Sequence, residues 1–217
     1  VAQLVERQRQ AFLRNADRIA KTYEGRQQLE RARRAIQRRI HARLAGHEVP
    51  MVLLDLLGAG WEQIMVLALL REGADSQAVA ELFSVIVQIQ RWLGSDDDNH
   101  EAAFERELET PALLDLIERQ MMTTGEPARH RAVLKRLGAQ LREEERPDYV
   151  WLASYPLGEE PETPESRGAA NDSRWYDRAR ELAMGDWVAL DDEAGGVRRM
   201  RLVWVGDDAY KFVFLTP

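Results

Sequence analysis

Seven arginines, Arg26, Arg31, Arg33, Arg34, Arg38, Arg39 and Arg43, fall within eighteen residues of this 217-residue chain. A guanidinium is a planar fork of donors that matches phosphate or carboxylate bidentately, so such a run could grip nucleic acid, a nucleotide or an acidic protein face. The arginines sit on several sides of an apolar stripe, and no aromatic residues are interleaved to stack on bases. That pattern favours a solvated face with ion pairs first and docking on an acidic protein surface second, with Arg34, Arg38 and Arg39 as the partner-binding residues and no nucleic acid bound. A second basic pair, Arg174 and Arg178, lies one helical turn apart and could fork a phosphate.

Other chemistry is sparse. Asp96, Asp97, Asp98, His100 and Glu101 carry hard oxygen donors, but their spacing matches no EF-hand loop, and adjacent aspartates read as a solvated loop. His41, His47, His100 and His130 are scattered, and no His-Glu-x-x-His pair exists. There is no Gly-x-Ser-x-Gly elbow, Walker loop or dinucleotide fingerprint. Cysteine is absent, which excludes thiolate chemistry and disulfides and suits a reducing cytoplasm. No catalytic residue, metal ligand or cofactor is therefore assigned, and the chain reads as a non-enzyme.

The elements that must carry these residues are mostly helical. Val1, Val5, Phe12, Ala16, Ile19 and Tyr23 follow a helical stripe that Gly25 is expected to interrupt. Leu29, Ala32, Ile36, Ile40 and Leu44 form a second stripe ending at Gly46. From Pro50, two nearly all-round apolar segments flank Gly58 and Gly60, as expected at the centre of a domain. Asp75 or Ser76 should cap a helix running to Leu93, and a further helix from about Glu101 to Met122 should restart at Thr110-Pro111. Ala128 to Leu141 closes the bundle. The stretch 147–173 is acidic and rich in Pro and Glu, which makes it a linker by composition. No apolar run approaches the roughly 20 residues that span a bilayer, so membrane insertion is not expected.

Near the end the periodicity changes. A short helix with Trp175, Ala179 and Leu182 precedes three aromatic and β-branched runs, 185–190, 200–205 and 210–215, separated by Gly/Asp turns. That is an antiparallel meander, with Leu202 and Trp204 expected on one face and Tyr210, Phe212 and Phe214 on another. The sequence Gly185-Asp186-Trp187-Val188, Gly195-Gly196, Arg198-x-x-Arg201-Leu202-x-Trp204-Val205 and Phe212-Val213-Phe214 resembles the C-terminal PilZ-like barrel of a family of large proteobacterial proteins. That family is catalogued as a domain of unknown function (1631 type), and some members are mislabelled thymidine phosphorylase. Tyr23-Glu24-Gly25, Ala32-Arg33, Val49-Pro50 through Leu57, Trp61, Arg71-Glu72-Gly73 and Arg91-Trp92-Leu93 are similar to its recurrent helical segments.

The resemblance implies a place in cyclic di-GMP signalling. Arg174 and Arg178 fit the Arg-x-x-x-Arg half of the PilZ nucleotide signature. The companion half would fall on Asp191–Gly196, where Glu193 stands in place of serine and sets a carboxylate against the phosphate. The separation of the halves is also shorter than in PilZ domains. Charge is divided as well: residues 1–48 carry twelve basic and five acidic side chains, residues 96–165 eight basic and eighteen acidic.

The expected fold is therefore α+β: a helical bundle at 1–146, the linker at 147–173, and a PilZ-like antiparallel β-barrel fragment at 174–217. The start at Val1 and the abrupt end of the last strand suggest a fragment of a longer protein. The expected function is a cytoplasmic, non-enzymatic interaction or scaffold module of a bacterial regulatory protein with a protein partner. The alternative is a direct cyclic di-GMP effector using Arg174 and Arg178.

Overall fold

The computed structural model describes residues 2–94, 100–122, 127–156, 173–191, 196–206 and 211–216. The fold is α+β, with two compact units: Val1–Glu30 together with Glu159–Pro217, and Arg31–Gly158. Helix α1, Ala2–Leu44, contributes to both and runs unbroken through Gly25. The expected interruption does not occur, because one exposed glycine costs a helix only about 1 kcal/mol relative to alanine. The helical segment read from the sequence as 1–146 is thus shared between the units.

In the 31–158 unit the second stripe of α1 is buried: Ala32, Ile36, Ile40 and Leu44 all lie in the core. Gly46 then takes a positive φ of 77° and the chain enters a strand, β1, His47–Pro50. β1 pairs antiparallel with β2, Tyr149–Leu152, in the register His47↔Leu152 to Pro50↔Tyr149. The sequence reading places β2 at the start of the linker. Its four residues are too few for alternation to register, and its partner lies a hundred residues upstream.

Between the strands runs the centre of the unit. Helices α2, Met51–Leu56, and α3, Glu62–Glu72, join through a single π-turn, Leu57–Trp61. Gly60 has φ 130° there, a conformation that side chains with a Cβ resist. The 22 residues Met51–Glu72 are long and apolar enough to cross a membrane, which corrects the expectation that no such run exists; the two glycines disguise its continuity. Its burial is that of a core helix. Val52, Leu53, Leu56, Trp61, Met65 and Val66 are inaccessible to solvent, α2 packs on α6 and α3 packs on α4.

Helix α4, Gln77–Trp92, starts as expected: Ser76 Oγ accepts the Val79 N–H at 3.3 Å. Helix α5, His100–Met121, passes through Pro111 instead of restarting there. Pro111 removes the N–H that would meet the Glu107 carbonyl, and the cost is small because Glu107 is exposed to solvent. Thr110, expected to cap a new helix, donates its hydroxyl to the Arg106 carbonyl at 2.6 Å. Helix α6, Pro127–Leu141, packs on α5.

The other unit holds α7, Ser173–Arg180, and an antiparallel sheet β3-β4-β5 (Trp187–Asp191, Val197–Val205, Phe212–Leu215). The expected meander is present. It is an open sheet, not a closed barrel, since three described strands fall short of the number that closure requires. A bulge at Val203 shifts the ladder, so Leu202 pairs with Phe214 but Trp204 with Val213. Leu202 and Trp204 consequently lie on opposite faces, contrary to the simple alternation. Trp204 packs against Tyr23 of α1 at 5.5 Å between ring centroids, and Trp187 against Phe12. Phe212 and Phe214 share a face as expected; Tyr210 lies outside the described residues.

Two substitutions probe these cores. Trp204 is 7% exposed, so Trp204→Ala should cost roughly 3–5 kcal/mol in chemical denaturation. Gly60→Ala should cost about 1–3 kcal/mol through backbone strain, with no side chain lost.

Candidate functional site

Several polar side chains in the 31–158 unit hold elements together. The Ala59 carbonyl, inside the π-turn, accepts the Nε2–H of buried His130 on α6 at 2.8 Å. Trp61, the last residue of that turn, donates its indole N–H to the Leu82 carbonyl of α4 at 3.2 Å. Arg136 of α6 binds Asp55 at 2.9 Å and Asp148 at 3.1 Å, joining α6 to α2 and to the residue before β2. Arg106 meets the Trp92 carbonyl and Glu143.

A fifth tie anchors the segment after β2. Tyr155 donates its hydroxyl to Glu62 Oε2 at 2.7 Å, and Gln37 donates to Glu62 Oε1 at 2.9 Å. The Tyr155 N–H reaches His41 Nδ1 at 3.2 Å, which puts the neutral ring's proton on Nε2. Burial, and then the bond and charge of Glu62, hold the Tyr155 phenol well above the ordinary tyrosine range. Among the described residues, no three His, Asp or Glu side chains converge to hold a metal ion. An open apolar groove of about 360 Å³ lies between the end of α5 and the start of α6, lined by Met121, Met122, Pro127, His130, Arg131 and Leu134.

The family model for "Protein of unknown function (DUF1631) third domain" matches residues 22–141, more than half of the chain. The chain belongs to the DUF1631 family. Comparison with curated proteins and with solved structures found no match. The family match ends at the last residue of α6, so β2 and the C-terminal sheet lie beyond it.

In this DUF1631 chain the arginines singled out from the sequence lie on α1 and α7, with Arg38 and Arg39 exposed and Arg34 half-buried. Arg38 is exposed and donates to the Arg34 carbonyl one turn back. Arg39 points elsewhere, its guanidinium 5.3 Å from the centroid of the Phe83 ring on α4. Arg174 and Arg178 both lie in α7, and Arg178 is exposed; the Arg174 side chain is outside the described residues. So are Asp96–Asp98 and residues 192–195, and with them most of the Asp191–Gly196 half-signature.

Sequence reasoning missed the outer face of the β1–β2 ribbon. Tyr149 and Trp151 are 39% and 64% exposed there, and exposed Glu48 stands directly across from Trp151. The Tyr149 phenol is raised by burial and then by the charge of Glu48. The signal was available in Tyr149-Val150-Trp151-Leu152, four strand-forming residues inside an otherwise acidic tract.

The Tyr155 tie carries a pH dependence. Its pKa is raised in the fold, so its contribution is complete below the unfolded value near 10 and is lost as pH rises toward the folded one. Wild type should therefore lose stability above about pH 10 more steeply than Tyr155→Phe. At pH 7 the variant should be weaker by roughly 1.5 kcal/mol, read by urea melts across pH.

Proposed function

We propose that the chain is a non-enzymatic interaction or scaffold module of a bacterial regulatory protein, working in the cytoplasm. Its C-terminal strands, on this reading, are of PilZ type and link it to cyclic di-GMP signalling. The observation that supports it is the division of labour on α1. Ala32, Ile36, Ile40 and Leu44 fix the helix to its unit by burial, while Arg38 and Arg39 stay exposed outside that stripe. A protein partner matches such a surface with carboxylates, which raises the association rate and selects the partner.

The alternative is direct binding of cyclic di-GMP. The feature in its favour is that α7 sets positions 174 and 178 one turn apart on one face, the spacing that two guanidinium groups need to fork a phosphate. The second half of the signature carries Glu193, whose charge opposes the ligand.

The experiment is affinity capture of the intact protein from its native cells, followed by comparison with a variant carrying Arg34→Glu, Arg38→Glu and Arg39→Glu. The partner should be lost while the fold survives, since the Arg39–Phe83 contact is worth only about 0.5–1 kcal/mol at an exposed site. Tight, steeply salt-dependent binding of a nucleic-acid probe by the unmodified chain, abolished in the triple variant, would contradict this reading.

A further inference from the structure

The β1–β2 ribbon has one blunted edge and one open edge. Met51 N–H donates to the Asp148 carbonyl at 2.8 Å, and Gly46 N–H to the Leu152 carbonyl at 2.8 Å. Even-numbered residues of β2 therefore turn their backbone groups toward β1. Antiparallel ladders alternate, so Tyr149 and Trp151 turn their N–H and C=O groups the other way. Among the described residues no strand pairs with that side. On β1 the corresponding outward positions are Glu48 and Pro50, and a proline has no N–H to offer an added strand. Exposed edges are ordinarily protected by proline or charge; β2 has an exposed tryptophan instead.

Both ends of this strand are fixed. Asp148 is held by Arg136 before it, and Tyr155 is held by Glu62 and His41 after it. The edge is thus set in place before any partner arrives, which lowers the ordering cost of pairing with it.

The side chains specify what would pair. Glu48 and Trp151 form a directly opposed, non-hydrogen-bonded pair, the type in which side chains stand closest, and Tyr149 is the diagonal neighbour on the same face. A carboxylate beside two exposed aromatic rings suits a lysine or arginine, which gains a charge partner and the ring faces together. Other charges nearby are Arg146 and His47 on the basic side and Glu143, Glu144 and Glu145 on the acidic side. Arg136 and Arg106 already engage Asp148, Glu145 and Glu143.

We propose that the outer edge of β2 accepts an extended segment of a partner protein as a third strand, with a basic side chain seated against Glu48, Trp151 and Tyr149. This docking surface is separate from the arginines of α1. Strand addition supplies affinity through backbone bonds and specificity through the alternate side chains.

The test is an NMR titration of the whole ¹⁵N-labelled chain with the capped pentapeptide Thr-Val-Arg-Val-Thr and with its counterpart bearing Glu in place of Arg. Amide shifts should centre on Tyr149 and Trp151, and the Arg peptide should bind about tenfold tighter or more. Glu48→Lys and Trp151→Ala should each remove that preference while the amide spectrum of α4 and α6 stays unchanged, which controls for folding. The Arg34/Arg38/Arg39 variant should bind the peptide normally, which separates this surface from the α1 reading. Three results would overturn the proposal: no shift with the Arg peptide up to about 1 mM, equal binding of the Glu peptide, or peptide-free association of two chains through β2.

Discussion

Burying the inward side of Met51–Glu72 is the constraint on which the 31–158 unit depends. The segment is strongly apolar, and α4 and α6 pack on it while α1 reaches it through Gln37 and Glu62. It is also broken at Gly60, and a broken helix exposes backbone groups that a dry interior cannot leave unpaired. His130 closes the Ala59 carbonyl and Trp61 anchors to Leu82, so the break is tied to α6 and α4 through side chains. The same two contacts fix where those helices sit on the core.

Most remaining polar side chains of the unit follow from that arrangement. Arg136, Arg106, Glu62 and Tyr155 are drawn into ties between elements, with backbone carbonyls or single carboxylates as partners. Such ties rigidify a scaffold. A few buried atoms have no partner: Gln90 Oε1, Trp92 Nε1 and both amide atoms of Gln140. Each carries a desolvation cost of about 1–3 kcal/mol. Arg38 and Arg39 of α1 and Tyr149 and Trp151 of β2 are exposed on the outside of the unit.

Much of this was legible in the sequence, and the failures are physically instructive. Helical stripes, the Ser76 cap, the buried centre after Pro50 and the C-terminal meander all follow from local periodicity. Gly25 and Pro111 were misread as breaks because a single unfavourable residue weighs less than the packing of the turns around it. The β1–β2 ribbon was missed because its strands pair across a hundred residues, although Tyr149-Val150-Trp151-Leu152 are strand-forming residues. The bulge at Val203 reversed the face of Trp204, a tertiary adjustment that alternation alone does not reveal. Arg34 and Arg38 lie one turn apart on α1, while Arg39 sets its guanidinium over Phe83 of α4, a contact no local pattern reveals.

The central claim, that Met51–Glu72 is the shielded core of the fold, is open to direct measurement by native-state amide hydrogen exchange in a denaturant series. The account predicts that the amides of Trp61, Met65 and Val66 exchange only through global unfolding, with their opening energies converging at the top of the range. Exchange of those amides through small local openings, with little denaturant dependence, would contradict it.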